Sequence, residues 1–151
     1  MAFSIHPQLA NDCHYLGDFP LCALLLSKDA NYPWFIMVPR RVDIREAFEL
    51  TVDEQQQLQR ESLSLSRLLN NTFKADKMNI AALGNMVPQL HLHHIVRYST
   101  DAAWPKPIWE VAKAQAYNDA SLKERIDVML NALAGTDFIA NQQLKTEAFR
   151  E

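Results

Sequence analysis

The sequence predicts an α+β domain: an antiparallel sheet, one long helix inserted between strand pairs, and a second helix toward the C-terminus. Three observations carry this. Two apolar runs, 21–26 and 34–38, flank the turn-rich Lys28-Asp29-Ala30-Asn31, which is the pattern of a β-hairpin. Leu58, Leu65, Leu68, Leu69 and Phe73 recur on one helical face behind the capping sequence Thr51-Val52-Asp53-Glu54. The stretches 77–83 and 89–97 then read as two further strands. Strands, helix, strands, helix is the order of an α+β fold.

In chain order, 14–19 adds a strand before the hairpin, and the spacing predicts a helix over 52–73. Gly84-Asn85 ends the strand 77–83. Ser121-Leu122-Lys123-Glu124 is a second capping box, followed by Leu122, Ile126, Met129, Leu130 and Leu133 at helical spacing, with Gly135 at the C-terminal cap. The last fifteen residues show no clear pattern and read as a tail or partner arm. The whole of 1–151 reads as a single domain, with a core of 10–110 and a helical extension over 111–151.

The chain has 151 residues, enough for one domain with a substantial core. A net charge of −3 argues against binding a nucleic-acid polymer, which needs a basic face. It does not argue against a single nucleotide, whose phosphate a few N–H groups can hold. No apolar stretch approaches the roughly 18 residues that span a membrane, and the N-terminus shows no basic leader. Cys13 and Cys22 form no metal or redox motif and read as two reduced thiols in a cytoplasmic protein.

Three of the five histidines lie within four residues: His91, His93 and His94. On a strand, successive side chains alternate in face. Gln89, His91, His93, Ile95 and Arg97 then share one face, while Leu90, Leu92, His94 and Val96 share the other. His91 and His93 are candidate site residues, and His94 is a packing histidine. Two neighbouring imidazoles suit phosphoryl chemistry, because one can attack phosphorus while the other bonds the phosphate oxygens. The turn Gly84-Asn85-Met86-Val87-Pro88 offers backbone N–H groups nearby. A His-x-His pair also suits zinc, but no third ligand has a telling spacing.

The stretch Gly84-Asn85-Met86-Val87-Pro88-Gln89-Leu90-His91-Leu92-His93-His94-Ile95-Val96-Arg97 resembles the histidine-triad motif, His-φ-His-φ-His-φ-φ behind a Gly-Asn or Gly-Gln turn. Trp34 to Arg40 resembles the family's early strand, which ends in a Pro-Lys or Pro-Arg pair. Asp101 to Trp109 resembles a bacterial subgroup. The similarity covers about residues 10–110. In the register that fits best, Gln89 stands in place of the first triad histidine, His91 is the middle one and His93 the last. Pro33-Trp34 stands where the family commonly has Gly-His.

The resemblance implies binding of a purine nucleotide or nucleotide conjugate and cleavage at its α-phosphate, without a cofactor. His91 would be the nucleophile, held through its other ring nitrogen by a backbone carbonyl. His93 would bond phosphate oxygens, and Gln89 would donate its amide to one. Asn79, Gly84 and Asn85 match nucleotide-contacting positions. A homodimer is implied as well. The alternative is a nucleotide-binding module with little or no turnover, because two family histidines are replaced. Trp34 reads as core. Trp104 and Trp109 read as packing aromatics, with the substrate channel as their other placement.

Overall fold

The computed structural model describes residues 1–147. The elements run α1 (Pro7–Asp12), β1 (Cys13–Asp18), β2 (Cys22–Ser27), β3 (Trp34–Pro39), α2 (Val52–Phe73), β4 (Lys77–Ala81), β5 (Leu92–Arg97), α3 (Asp119–Leu133), β6 (Ile139–Ala140) and α4 (Gln142–Glu147). All strand pairs are antiparallel, in the order β4-β5-β3-β2-β1-β6. The α+β architecture, the hairpin and the inserted helix are as the sequence predicts.

Alternation along the strands divides the sheet into two faces. Leu24, Leu26, Phe35, Met37, Leu90 and Val96 pack with Leu58, Leu65 and Leu69 of α2 and with Met129 and Leu133 of α3. The opposite face carries two smaller clusters. Ala23, Leu25, Ile36 and Val38 meet Leu9 of α1, and Ile95 meets Tyr32, Ala103 and Ile108. β2 is therefore buried on both faces, which explains its unbroken apolar run.

α2 begins as expected, with the Thr51 hydroxyl accepting from the Glu54 N–H at 3.2 Å. The Glu54 carboxylate does not close the box; it lies 3.2 Å from Arg41 instead. α3 starts two residues before the predicted cap Ser121. Its cap is Asn118, whose side-chain oxygen accepts from the Ser121 N–H at 2.8 Å. An asparagine caps as well as a serine and comes first along the chain. Gly135 follows the helix with φ +80°, in the left-handed region a terminating glycine supplies.

Three elements lie outside the expectations: α1, β6 and the short α4. α1 is capped by the His6 ring, whose Nδ1 accepts from the Gln8 N–H, and Pro7 fills the first helical position. β6 forms within the stretch read as a patternless tail, of which 148–151 lie outside the described residues. It pairs Ala140 with Gly17 and Ile139 with Asp18. A two-residue strand has no periodicity to read. Gly17 sits at a register shift in β1 with φ +148°, and a Cβ there would lie 2.3 Å from the Ile139 carbonyl oxygen. The close seating of β6 needs glycine at this point.

Candidate active site

The predicted strands 77–83 and 89–97 are each shorter in the structure, ending at Ala81 and starting at Leu92. The chain between them leaves the sheet because Pro88 has no N–H to give a ladder and the Leu90 N–H bonds the Ile44 carbonyl. This excursion forms one rim of a cavity of about 380 Å³ on the sheet face opposite α2. Gly84 and Asn85 line that rim, His91 and His93 line the floor, and Trp34 and Trp109 close one side. Gly84 has φ +71°, which glycine adopts without strain.

The two site histidines are 6% exposed, with ring centroids 4.9 Å apart and nearly perpendicular planes. His91 Nδ1 lies 2.7 Å from the Gln89 carbonyl oxygen. A carbonyl only accepts, so Nδ1 carries the proton and Nε2 keeps its lone pair. No described residue bonds that Nε2. His93 has the opposite arrangement. The Trp34 indole N–H donates to His93 Nδ1 at 3.0 Å, so the His93 proton sits on Nε2. Burial, then the neighbouring His91 and His94, push the His93 pKa down to about 3. Its ring is neutral at physiological pH.

His94 points to the other side of the sheet, as the period-two rule requires. It is fully buried against α2, with Nε2 accepting from the Ser62 hydroxyl at 2.8 Å and Nδ1 donating to the Leu92 carbonyl at 3.2 Å. Burial lowers its pKa to about 4. It joins β5 to α2 and has no path to the cavity.

Two candidates lie elsewhere than their expected roles require. The Gln89 amide does not face the cavity. It grips the N-terminal segment, donating to the Ser4 carbonyl and accepting from the His6 N–H, both at 2.9 Å. Leaving the strand at Leu92 frees residue 89 from the alternation that would have aimed it at phosphate. Its contribution to the site is its backbone carbonyl. Asn79 faces the right side of the sheet but accepts from Arg97 Nη1 at 2.8 Å and does not line the cavity.

Sequence reading missed the supporting parts. Arg97, 1% exposed, bonds Asp101 through two nitrogens and the Lys106 carbonyl through Nη2. Asp101 also accepts from the N–H groups of Tyr98, Ala103 and Trp104. This truss folds residues 98–110 back over the sheet and sets Trp109 edge-on to His93, centroids 5.1 Å apart. Trp104 lies over Arg97 instead and is 38% exposed. Of the two aromatics, only Trp109 lines the cavity. The opposite wall is α1, through Leu9 and Asp12.

The chemistry open to this cavity follows from its lining. Asp12 and Glu110 are its charged groups, and it has no lysine or arginine among its described lining residues. An anion in this cavity would find only neutral donors among those residues: imidazole, the Asn85 amide, the Ser27 hydroxyl and backbone N–H groups. Cys13 also lines the cavity, but burial and the nearby Asp12 push its pKa up to about 12, so it stays a thiol. Both cysteines are free and buried. Among the described residues, no group of three His, Cys, Asp or Glu side chains is placed to hold a metal ion. No helix of the described chain is long and apolar enough to cross a membrane.

Comparison with known proteins places the fold. No curated protein matches the chain. Among solved structures, a histidine triad protein from Bradyrhizobium japonicum is similar at 45% identity and a TM-score of 0.85, over 87% of this chain and 98% of that one. One from Marinobacter aquaeolei is similar at 47% identity and 0.85, over 88% and 97%. A third, from Sinorhizobium meliloti, stands at 37% and 0.83, over 87% and 97%. The HIT domain model matches residues 8–100, which contain the cavity floor, all of α1 but its first residue Pro7, and every strand but β6. By that match and by these relatives, the chain belongs to the HIT, or histidine triad, family.

Proposed function

We propose that this protein is a nucleotide hydrolase or nucleotidyl transferase that works through a covalent intermediate on His91. Membership of the HIT family implies nucleotide-binding, hydrolase or transferase activity in general; the proposal narrows this to the α-phosphate of a purine nucleotide or nucleotide conjugate. The observation that carries it is the His91 ring. The Gln89 carbonyl fixes the proton on Nδ1, leaving an unbonded Nε2 beside a second histidine in a cavity of nucleotide scale.

His91 Nε2 attacks the α-phosphorus, and the bond from phosphorus to the leaving group breaks with its electron pair going to that group. The leaving group takes a proton from water. The phosphorylated imidazole carries positive charge, which the Gln89 carbonyl at Nδ1–H stabilises. Water then attacks phosphorus, giving its proton to the hydroxide left by the first step; the P–N bond breaks with its electron pair returning to Nε2, and the nucleotide leaves with His91 restored. His93 Nε2–H and the N–H groups around Gly84 and Asn85 bond the phosphoryl oxygens as charge builds. Leu9, Ile36 and Val87 give the base an apolar wall.

The same reading takes the chain as a cytoplasmic homodimer of a subgroup with glutamine first in the triad; sedimentation at micromolar concentration checks the dimer. The test of mechanism is incubation with adenosine 5′-phosphoramidate, acid-free denaturation and intact mass measurement. An adenylyl adduct on the wild type, absent from His91→Ala, is expected. Robust turnover by His91→Ala would sink the mechanism. Stabilisation by AMP with no adduct and no hydrolysis would instead establish the binding module, the reading that the displaced Gln89 amide favours.

A further inference from the structure

Trp34 lies in the first position of β3, on the face that carries the cavity, and pairs with Ile95 in the sheet register. His93 pairs with Ile36, so Trp34 and His93 are diagonal neighbours on one face, within reach of a large side chain. The indole N–H donates to His93 Nδ1 at 3.0 Å, and the rings lie with centroids 5.6 Å apart at 48°. Trp109 packs edge-on to both, 6.3 Å from Trp34 and 5.1 Å from His93. His93 is thereby held on three sides, by Trp34, Trp109 and His91.

We propose that Trp34 is a positioning residue that fixes His93 as its Nε2–H tautomer, so that His93 always presents a hydrogen-bond donor beside the His91 nucleophile. An indole N–H is a donor with no acceptor capacity. A histidine, serine or water at the same point would let His93 Nδ1 either accept or donate, and the His93 ring would then exist as two tautomers. The Nδ1–H form would aim a lone pair at a phosphoryl oxygen, which repels it. Tryptophan removes that form. Trp34 therefore gives His93 a one-way partner. The low-dielectric enclosure by two indoles also disfavours a second proton on the ring, in line with its depressed pKa.

The tautomer assignment stands on the ligand-free geometry alone; its effect on rate rests on the reaction proposed above. The two are separable by experiment. Long-range proton–nitrogen NMR on the ligand-free wild type is expected to show His93 with a pyrrole-like Nε2 and a pyridine-like Nδ1. Trp34→Phe keeps the ring and removes the donor, and is expected to show both tautomers. With adenosine 5′-phosphoramidate, Trp34→Phe should lose about two- to tenfold in kcat, in proportion to the share of His93 in the Nδ1–H form, with KM little changed, since the lost interaction acts on the developing charge. Trp34→His, whose ring nitrogen can donate or accept, should also leave both tautomers and recover little of that loss. A wild-type His93 protonated at Nδ1 would overturn the proposal whatever the activity. So would a Trp34→Phe protein that keeps the single Nε2–H form, or one that shows both tautomers and keeps wild-type kcat. A wild type with the Nε2–H tautomer and no turnover would support the positioning while defeating the proposed reaction.

Discussion

Arg97 and Asp101 meet fork to fork, Nε to Oδ2 at 2.8 Å and Nη2 to Oδ1 at 3.1 Å, with both side chains 2% exposed. Burial opposes the Asp101 charge, but Arg97 and three backbone N–H groups outweigh it and hold the carboxyl below its ordinary range. The pair sets the path of residues 98–110 and hence the place of Trp109. Asp101→Asn leaves the guanidinium buried without its counter-charge and should cost about 3 kcal/mol or more. The melting temperature should fall, and the near-ultraviolet signal of Trp109 should change with it. An unchanged melting temperature would show that the truss is not a stabilising element.

Gln89 tests whether the N-terminal segment is a wall of the site. Gln89→Ala removes both bonds to Ser4 and His6. Amide exchange over residues 3–12 should accelerate, and KM for a nucleotide substrate should rise several-fold while kcat changes little. If the amide reached phosphate, the reverse would hold: kcat would fall and exchange would stay slow. Gln89→His should alter the rate by modest factors and loosen the same segment.

Glu61 of α2 accepts from the Leu21 and Cys22 N–H groups, each at 2.9 Å, and is 5% exposed. It holds the start of β2 against the helix. Glu61→Ala leaves two buried donors unpaired, which should cost about 2–4 kcal/mol in urea unfolding. Glu61→Gln keeps an acceptor for one of the two and should cost less. Equal losses in both variants would mean that the charge, not the pairing, matters.

Acid should destabilise the protein over a defined window. His93 and His94 have folded pKa values depressed to about 3 and about 4, against about 6.5 unfolded. The unfolded chain therefore takes up protons first as pH falls. Stability from these rings is complete above pH 6.5 and declines toward pH 4, by up to about 1.4 kcal/mol per pH unit for each ring. Asp101 adds a further loss below the ordinary carboxyl pKa of about 3.9. Unfolding free energies at pH 7, 6 and 5 check this. His94→Gln should flatten the slope by about one proton, and a slope unchanged by that substitution would refute the assignment to His94.

The face assignment of the histidines was legible because alternation on a strand is local and strict. Ile95 and Arg97 followed it, as did Leu92 and Val96 on the helix side. The partners of polar side chains were not legible. Gln89 reaches Ser4 across 85 residues of sequence, and Asn79 reaches Arg97 across 18. No pattern near either residue encodes that. Trp34 read as core because an aromatic at a strand start has the same signature whether its N–H meets a histidine or nothing. α1 had a visible signal in Pro7, since proline favours the first helical position, but six residues are too few to show an amphipathic period.

Gly17 has a bearing on how copies of this chain behave in a crowded solution. β6 is the last strand of the sheet, and it covers the backbone of β1 at Gly17 and Asp18. Uncovered, those peptide groups would form an open rim on which another chain's strand could add. Any side chain at position 17 would collide with the Ile139 carbonyl and push this cover away. Substitution there should cost less in nucleotide chemistry than in self-association, with assemblies that grow with concentration. A concentration series of a Gly17→Val protein by light scattering checks this, and a variant that stays the size of the wild type would refute it.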